Sequence, residues 1–372
     1  MAGTTKTKTK RILVVHYSQS GQLTRVLDAM LAPLREQSLE PLNAQPGDAG
    51  PATQKAQMQK QMQGRMQTNA SVQCPHPAQP QPLLPAQPPV EVVDWVLEPL
   101  EPFPFPWPFL QFLDAFPESV QMQPRPLKPL PDLGGQRFDL VILGYPVWYL
   151  SPAQPMAAFL QSPQAKAWLH DVPVVTVVAC RNMWLMAQEK MKRLIAAAGG
   201  RHCDHVALTD PPEHVLSSFI TTPRWLLRGK RDAFWGLPRA GVTDADIAAT
   251  RRFGQALAAA LAQDAEKSGQ PMLRGLGAAP VQPSLIVSEH AGQRAFTVWS
   301  RIVRACGAPG QPLRRLMLLL FVTYLVLMIV AVVPLSLLAQ RLLRPLLRAR
   351  LARWQARYEA PSGAGTYNMR DE

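Results

Sequence analysis

The chain has 372 residues, a formal net charge of +13 and four cysteines that lie far apart along the sequence. This length allows two domains, or one domain with appended segments. No cysteine spacing is typical of a zinc site or a disulfide framework, so neither is predicted. Residues 1–10 form a basic tail without an apolar core, so we expect no signal peptide and a cytosolic, reduced first domain.

Near the start of the chain, an apolar strand runs directly into a loop rich in hydroxyl groups. Arg11-Ile-Leu-Val-Val-His-Tyr is followed by Ser18-Gln-Ser-Gly-Gln-Leu-Thr24 and then by a helical pattern. Backbone N–H groups and the positive end of a helix dipole converge at such a junction. Ser18 and Ser20 add hydroxyl donors, and Gly21 lets the backbone approach a ligand. The sequence predicts a phosphate-binding loop, with an ordinary serine-capped turn as the alternative.

The spacing of this loop excludes the dinucleotide fingerprint and the nucleoside triphosphate loop. The pattern Ser18-x-Ser20-Gly21 instead resembles the FMN phosphate loop of flavodoxins, written S/T-x-T-G-x-T. Leu23 stands where that family has its last threonine, and Thr24 follows one residue later. The resemblance implies FMN as the cofactor, with phosphate contacts from Ser18, Gln19, Ser20, Gly21, Gln22 and Leu23.

Predicted strands and helices alternate over the next part of the chain. Further strands are predicted at residues 90–97, 138–144, 174–179 and 205–208, and helices at about 22–37, 109–116, 152–169 and 185–198. The strands are almost uniformly apolar, as is typical of a parallel sheet covered on both faces. We therefore expect a flavodoxin-like, doubly wound α/β fold with five parallel strands in the order 2-1-3-4-5.

Changes in amino-acid composition along the chain predict the other domain boundaries. Within a domain spanning residues 11–265, residues 43–89 are rich in Gln and Pro and are predicted to be a disordered insertion. A helical extension is predicted over 211–265, including an amphipathic helix from Asp244 with Thr243 as its N-cap. Earlier in this extension, the pattern of residues 215–235 is equally typical of a membrane-surface element and of a helix packed on the domain.

The C-terminal part is predicted to attach the protein to a membrane. A basic linker over 266–315 leads to residues 316–339, which carry no charge and could span roughly 30 Å of hydrocarbon. A basic tail over 340–372 follows, with an amphipathic stretch at Leu342–Trp354 suited to an anionic surface. Membrane lipids are the expected partner, nucleic acid is not, and we expect the α/β domain on the cytoplasmic face.

Two later loops carry aromatic residues to the same edge of the sheet as the phosphate loop. One contains Pro146, Val147, Trp148 and Tyr149, and the other contains Arg181, Asn182 and Trp184. In flavodoxin-like proteins these loops enclose the flavin ring, which stacks on aromatic side chains. The alternative is that the aromatic residues cap the sheet or pack against the run Glu101-Pro-Phe-Pro-Phe-Pro-Trp-Pro108.

Longer motifs resemble those of one particular family of flavodoxin-like proteins. Gly144-Tyr-Pro-Val-Trp-Tyr-Leu-Ser-Pro152, Phe103-Pro-Phe-Pro-Trp107, the segment 112–120 and the segment 180–190 resemble a bacterial flavodoxin-like family labelled dialkylresorcinol condensing enzyme. This resemblance implies a role in aryl-lipid or aryl-polyene metabolism and a small aromatic or lipidic substrate. Condensation of thioesters needs a nucleophile, for which Cys180 is a weak candidate because no spacing pairs it with His16, His202 or His205.

Three functions follow from these observations. The first is a membrane-tethered, FMN-dependent oxidoreductase, and the second is a condensing or cyclising enzyme without flavin. The third is a non-catalytic membrane scaffold with a degenerate FMN site. No metal site is predicted, and the substrate, the electron donor, the topology of the tail and the formation of a homodimer are left open.

Overall fold

A computed structural model of the chain describes residues 8–39, 88–133, 135–210, 215–332, 335 and 348–363. Its main sheet is parallel, with the strand order β2-β1-β3-β4-β5. This is the flavodoxin-like order, so the predicted fold class is confirmed. The strands are β1 Lys10–His16, β2 Val90–Val96, β3 Leu140–Tyr145, β4 Pro173–Ala179 and β5 Arg201–Leu208.

Helices cover both faces of the sheet, which is why every residue of β3 and β4 is buried. The first helices along the chain are α1 Gln22–Leu39, α2 Phe109–Asp114, α3 Phe116–Val120, α4 Gln154–Leu160, α5 Pro163–Leu169 and α6 Leu185–Ala197. The later ones are α7 Val215–Arg228, α8 Asp244–Ala249, α9 Arg251–Ala262, α10 Pro283–Ala305, α11 Pro312–Leu327 and α12, residues 348–359.

Two hydrophobic cores lie on opposite faces of the sheet. One joins the sheet to α1 and α9, and the other joins it to α4, α5, α6 and α10. Helices α1 and α9 cross very closely at Gly254, where a Cβ atom would lie 1.8 Å from the carbonyl oxygen of Met30. Only glycine allows this approach of two backbones.

Several predicted helices are broken in the structure at residues that begin a new helix. The sequence predicts that Pro117 ends the helix 109–116, but it lies in the first turn of α3, and Pro163 begins α5 in the middle of the predicted helix 152–169. Proline fits a first turn because no N–H group is needed there. The predicted helix 244–265 is divided at Thr250, although Thr243 caps it as expected and accepts from the Asp246 N–H at 3.0 Å.

Two predicted boundaries near strands are wrong. β5 begins at Arg201 instead of residue 205. Lys10 belongs to β1 and not to a tail. Its ammonium group is buried and contacts Asp264 and Glu266. The predicted insertion lies outside the described residues except for 88 and 89, where the Pro89 carbonyl accepts a hydrogen bond from Lys10 at 2.9 Å.

The region predicted as a basic linker contains the 23-residue helix α10, which packs against α3, α6 and α11. The apolar helix that follows, Pro312–Ala331, has 20 residues and a mean hydropathy of 2.2, which is long and apolar enough to cross a membrane. Its N-terminal half is docked on the domain, where Phe321 stacks on Phe116 with ring centroids 4.0 Å apart. Of residues 333–339, which complete the predicted segment, only 335 is described.

The described part of the C-terminal tail is also packed on the domain. Helix α12 includes residues 348–354 of the predicted amphipathic stretch, whose earlier residues lie outside the described part. Beyond it, the buried Ser362 hydroxyl donates to Asp204 at 2.9 Å and accepts from the His205 N–H at 2.8 Å. The end of α12 is therefore fixed to the edge strand β5.

Candidate functional site

Three loops meet at the carboxyl edge of the sheet around a cavity of about 200 Å³, which we call the main cleft. The loop after β1 joins the loops after β3 and β4, as expected where the strand order reverses. The sequence-predicted residues that line the main cleft are Ser18, Gln19, Ser20, Gln22, Leu23, Pro146, Val147, Trp148, Tyr149, Arg181 and also Cys180.

The phosphate loop is shaped to hold an anion. Gly21 has a φ of 76°, in the region that favours glycine, and open space surrounds the position of a Cβ atom there. The first backbone hydrogen bond of α1 runs from the Arg25 N–H to the Gly21 carbonyl at 3.2 Å, so the preceding amides have no acceptor within the helix. In the part of the chain that the structure describes, the Ser18 and Ser20 hydroxyls bind no protein group.

Two glutamine side chains hold this loop in place. The Gln19 side-chain amide donates to the Pro104 carbonyl at 2.9 Å, and that of Gln22 donates to the Val242 carbonyl at 3.3 Å. The loop is therefore fixed between the proline-rich run and the segment before α8. A preformed loop loses little conformational entropy when it binds a ligand.

The burial of the Leu23 side chain explains why a leucine stands where the flavodoxin loop pattern has its last threonine. This side chain is only 2% exposed and belongs to the core that joins α1 to the sheet. A Cβ atom on Gly144 would lie 3.5 Å from it. The side chain thus serves core packing, and only the backbone of Leu23 is available to a phosphate.

Trp148 and Tyr149 are held by aromatic residues of the proline-rich segment and of α2 and α3, as the alternative interpretation expected. Trp148 lies nearly perpendicular to Phe103 and Trp107, at centroid distances of 4.8 and 5.5 Å. The Tyr149 hydroxyl donates to the Phe112 carbonyl at 2.5 Å. Both residues nevertheless line the main cleft, so they combine a packing role with an exposed contact surface.

The structure places Trp184 outside the main cleft. Its side chain is 2% exposed and lies in the core, with its ring centroid 4.7 Å from that of His205. Asn182 and Gly21 do not line the main cleft, and the Asn182 amide contacts the Ser218 hydroxyl at 3.4 Å. A strand-end tryptophan can face either the cleft or the core, and here it faces the core.

A wall of the main cleft was not predicted. The proline-rich run and α2 contribute Phe105, Trp107 and Phe112, while α7 contributes Thr222, Trp225 and Leu226. The Trp107 N–H donates to the Leu226 carbonyl at 2.8 Å, which joins the two segments. Helix α7 thus packs on the domain, and its Trp/Arg pattern alone did not separate this arrangement from a membrane-surface element.

Arg181 supplies little net positive charge to the cleft. Its guanidinium lies 2.5 Å from the Asp210 carboxylate and donates to the Thr221 hydroxyl at 2.6 Å. Burial lowers the pKa of Arg181, and the Asp210 carboxylate opposes that shift. An anion in the phosphate loop would therefore rely on backbone N–H groups and hydroxyls.

Cys180 lacks the surroundings of a nucleophile. Burial, together with the Glu289 and Asp210 carboxylates, raises the pKa of its thiol well above the ordinary value, so the thiol is protonated at neutral pH. The histidines considered as bases have other contacts: His16 lies 3.2 Å from Asp94, while His202 and His205 lie 3.0 and 2.9 Å from the Thr176 hydroxyl.

Glu289 is a buried carboxyl group close to the main cleft that sequence reasoning missed. It reaches from α10 to the N-terminus of α6, where it accepts from the Met186 N–H at 2.7 Å. Burial raises the pKa of Glu289 to about 8, while hydrogen bonds from Met186 and Leu185 oppose the shift. Its proximity also contributes to the raised pKa values of Cys180 and Tyr145.

This carboxyl group should make stability depend on pH. The folded protein holds the Glu289 proton more tightly than the unfolded chain, so this contribution is full below pH 4.5 and is lost as the pH rises to about 8. We expect the free energy of unfolding of Glu289→Gln to fall less over this range, by on the order of a few kcal/mol. Denaturant titrations of the full chain at several pH values measure this difference. Exposed Glu91→Gln is the control, and a Glu289→Gln profile parallel to wild type would contradict the assignment.

No protein-family model matches the chain, and no curated protein matches it. Among solved structures, it is similar to a flavoprotein in complex with FMN from Lactobacillus acidophilus, with 14% identity, a TM-score of 0.31, and coverage of 53% of this chain and 93% of the other. An archaeal flavodoxin has 9% identity, a TM-score of 0.30, and coverage of 67% and 96%. A WrbA-like flavodoxin from Agrobacterium tumefaciens has 10% identity, a TM-score of 0.29, and coverage of 68% and 98%. The fold assignment rests on the strand order of this chain.

Proposed function

We propose that this protein is an FMN-binding oxidoreductase held at a membrane by α11. The main observation in support is that the hydrogen-bond donors of the phosphate loop and the aromatic wall share one cleft at the carboxyl edge of the sheet. FMN, when bound, supplies the electron-transfer chemistry. The residues of the chain bind and orient it: Ser18 and Ser20 donate to the phosphate, and Trp148 shields one side of the ring from water.

The wall of the cleft also supports a substrate class. Phe105, Trp107, Trp225 and Leu226 present apolar surface to the cavity, and such surface favours a small aromatic or lipidic substrate over a charged one. The apolar helix Pro312–Ala331, which begins with α11, has the length and hydropathy to enter the bilayer in which such compounds dissolve. A role in aryl-lipid or aryl-polyene metabolism, with the domain on the cytoplasmic side, is the proposal that agrees with the family resemblance.

The test uses the full chain purified in a neutral detergent. We expect flavin absorption bands in the visible spectrum after incubation with FMN and gel filtration, and reversible bleaching of these bands under anaerobic photoreduction. A protein that stays colourless after incubation would contradict FMN binding, whereas bound flavin that resists reduction would contradict the oxidoreductase role.

A condensing enzyme remains the second candidate because Cys180 lines the main cleft. Since the thiol is held protonated, we expect Cys180→Ala to retain FMN with an affinity within about twofold of wild type. FMN fluorescence measures retention, and release of thiol from acyl thioesters measures condensation. A larger loss of FMN affinity in Cys180→Ala would overturn this expectation, and thioester turnover by wild type that Cys180→Ala abolishes would favour condensation. A chain with neither activity would be a scaffold.

A further inference from the structure

A second cleft, of about 400 Å³, lies between helices α10 and α12 and shares no residue with the main cleft. Its walls combine apolar and basic side chains. Helix α10 contributes Val287, His290, Ala291 and Arg294, and α12 contributes Arg350, Leu351 and Trp354. We call it the α10–α12 cleft.

Two arginines give this cleft its charge. Neither Arg294 nor Arg350 forms an ion pair with a carboxylate within the described ranges. The Arg350 guanidinium lies over the Trp354 ring at 4.6 Å, which orients it beside the apolar wall. Burial and the nearby Arg294 and Arg357 lower the pKa of His290, so its imidazole is neutral at neutral pH. Glu189, which opposes the lowering of the His290 pKa, is itself paired with Lys192 and Arg357. The cleft therefore carries two positive charges that form no direct ion pair with a described carboxylate.

The position of the cleft relates it to the apolar helix. Helices α10 and α11 run antiparallel, since Val303 and Leu318, near the connecting loop, belong to one apolar cluster and the Trp299 and Tyr324 rings lie 5.3 Å apart farther along. Residues 287–294 continue in that direction, toward the far end of the apolar helix Pro312–Ala331, where Val326, Leu327 and Val330 are 52%, 63% and 70% exposed. This exposed apolar end is the part of that helix suited to hydrocarbon.

We infer that the α10–α12 cleft binds one acidic phospholipid. The phosphate would bind Arg294 and Arg350, and the first part of an acyl chain would contact Val287, Leu351 and Trp354. Guanidinium groups bind phosphate through paired, charge-assisted hydrogen bonds, and the apolar wall accounts for a ligand larger than a free anion. This site goes beyond the proposed flavin function and does not depend on it.

The test is native mass spectrometry of the full chain in a neutral detergent with dioctanoyl phosphatidylglycerol. We expect one retained lipid per chain and at least about tenfold weaker binding in Arg294→Gln/Arg350→Gln. The matched control is Arg301→Gln/Arg304→Gln, which removes the same charge from exposed positions at the other end of α10. Ala291→Phe, at an exposed position lining the cleft, fills it without changing charge and should also prevent retention.

Three results would overturn the inference. Equal retention of dioctanoyl phosphatidylcholine would show that the charge has no role, and equal binding of octanoate or inorganic phosphate would show a general anion site. Equal losses in the two double variants would show diffuse electrostatic attraction. FMN binding by the same variants is measured in parallel, so failure of the flavin proposal is seen separately.

Discussion

Ser20→Glu should weaken FMN binding by about hundredfold while leaving riboflavin binding almost unchanged. Ser20 is exposed just before α1 and lines the main cleft, where its hydroxyl would donate to the phosphate. A carboxylate at this position would lie within a few ångströms of the phosphate, and two like charges at that distance repel by about 3 kcal/mol near a protein surface. Riboflavin has no phosphate and experiences no such repulsion. Fluorescence titration of the full chain with both ligands measures the two affinities.

Thr9→Glu is the matched control because Thr9 is an exposed hydroxyl residue before β1, at the opposite end of that strand. It adds the same charge and should leave both affinities unchanged. Equal losses of FMN and riboflavin in Ser20→Glu would indicate a general distortion of the cleft. Unchanged FMN binding in Ser20→Glu would place the phosphate somewhere other than this loop.

Arg314→Gln is expected to lower the free energy of unfolding by about 3 kcal/mol and to release the start of α11 from the domain. The Arg314 side chain is 1% exposed and donates to Asp114 Oδ1 at 2.6 Å and to Glu118 Oε2 at 2.7 Å. It also donates to the Asp114 carbonyl at 2.8 Å. Its loss leaves two partly buried carboxylates side by side without their cation. Thermal or denaturant unfolding measures the effect, and proteolysis within residues 307–311 detects the release.

Arg315→Gln provides the comparison because the neighbouring Arg315 is exposed and the variant loses the same charge in the same helix turn. We expect it to stay within about 0.5 kcal/mol of wild type. If both variants were equally stable, the buried ion cluster would not hold α11 on the domain.

Patterns within short segments were enough to predict most of the fold. The apolar runs of β1, β3 and β4 predicted strands covered on both faces, and the short turn after β1 predicted the loop. The new helix that contains Pro117 and the break at Pro163 were missed, because proline ends some helices and begins others. Which of these occurs depends on the tertiary packing of the residues after it.

The candidate site was predictable only where it is built from loops that directly follow strands. The wall from α7 and the carboxyl group of Glu289 come from residues far along the chain, and a single sequence gives no signal for such contacts. For Trp184, the sequence predicted a contact in the cleft that the side chain does not make. Its position after a strand suggested a ligand contact, but packing against His205 turns it into the core.

Binding of FMN in the main cleft can be measured by an equilibrium titration of the full chain with FMN. Ring stacking on the aromatic wall should quench flavin fluorescence. We expect saturable quenching that ends at one FMN per chain and is retained in Thr9→Glu but not in Ser20→Glu. Fluorescence that stays at the level of free FMN across the titration would contradict this expectation.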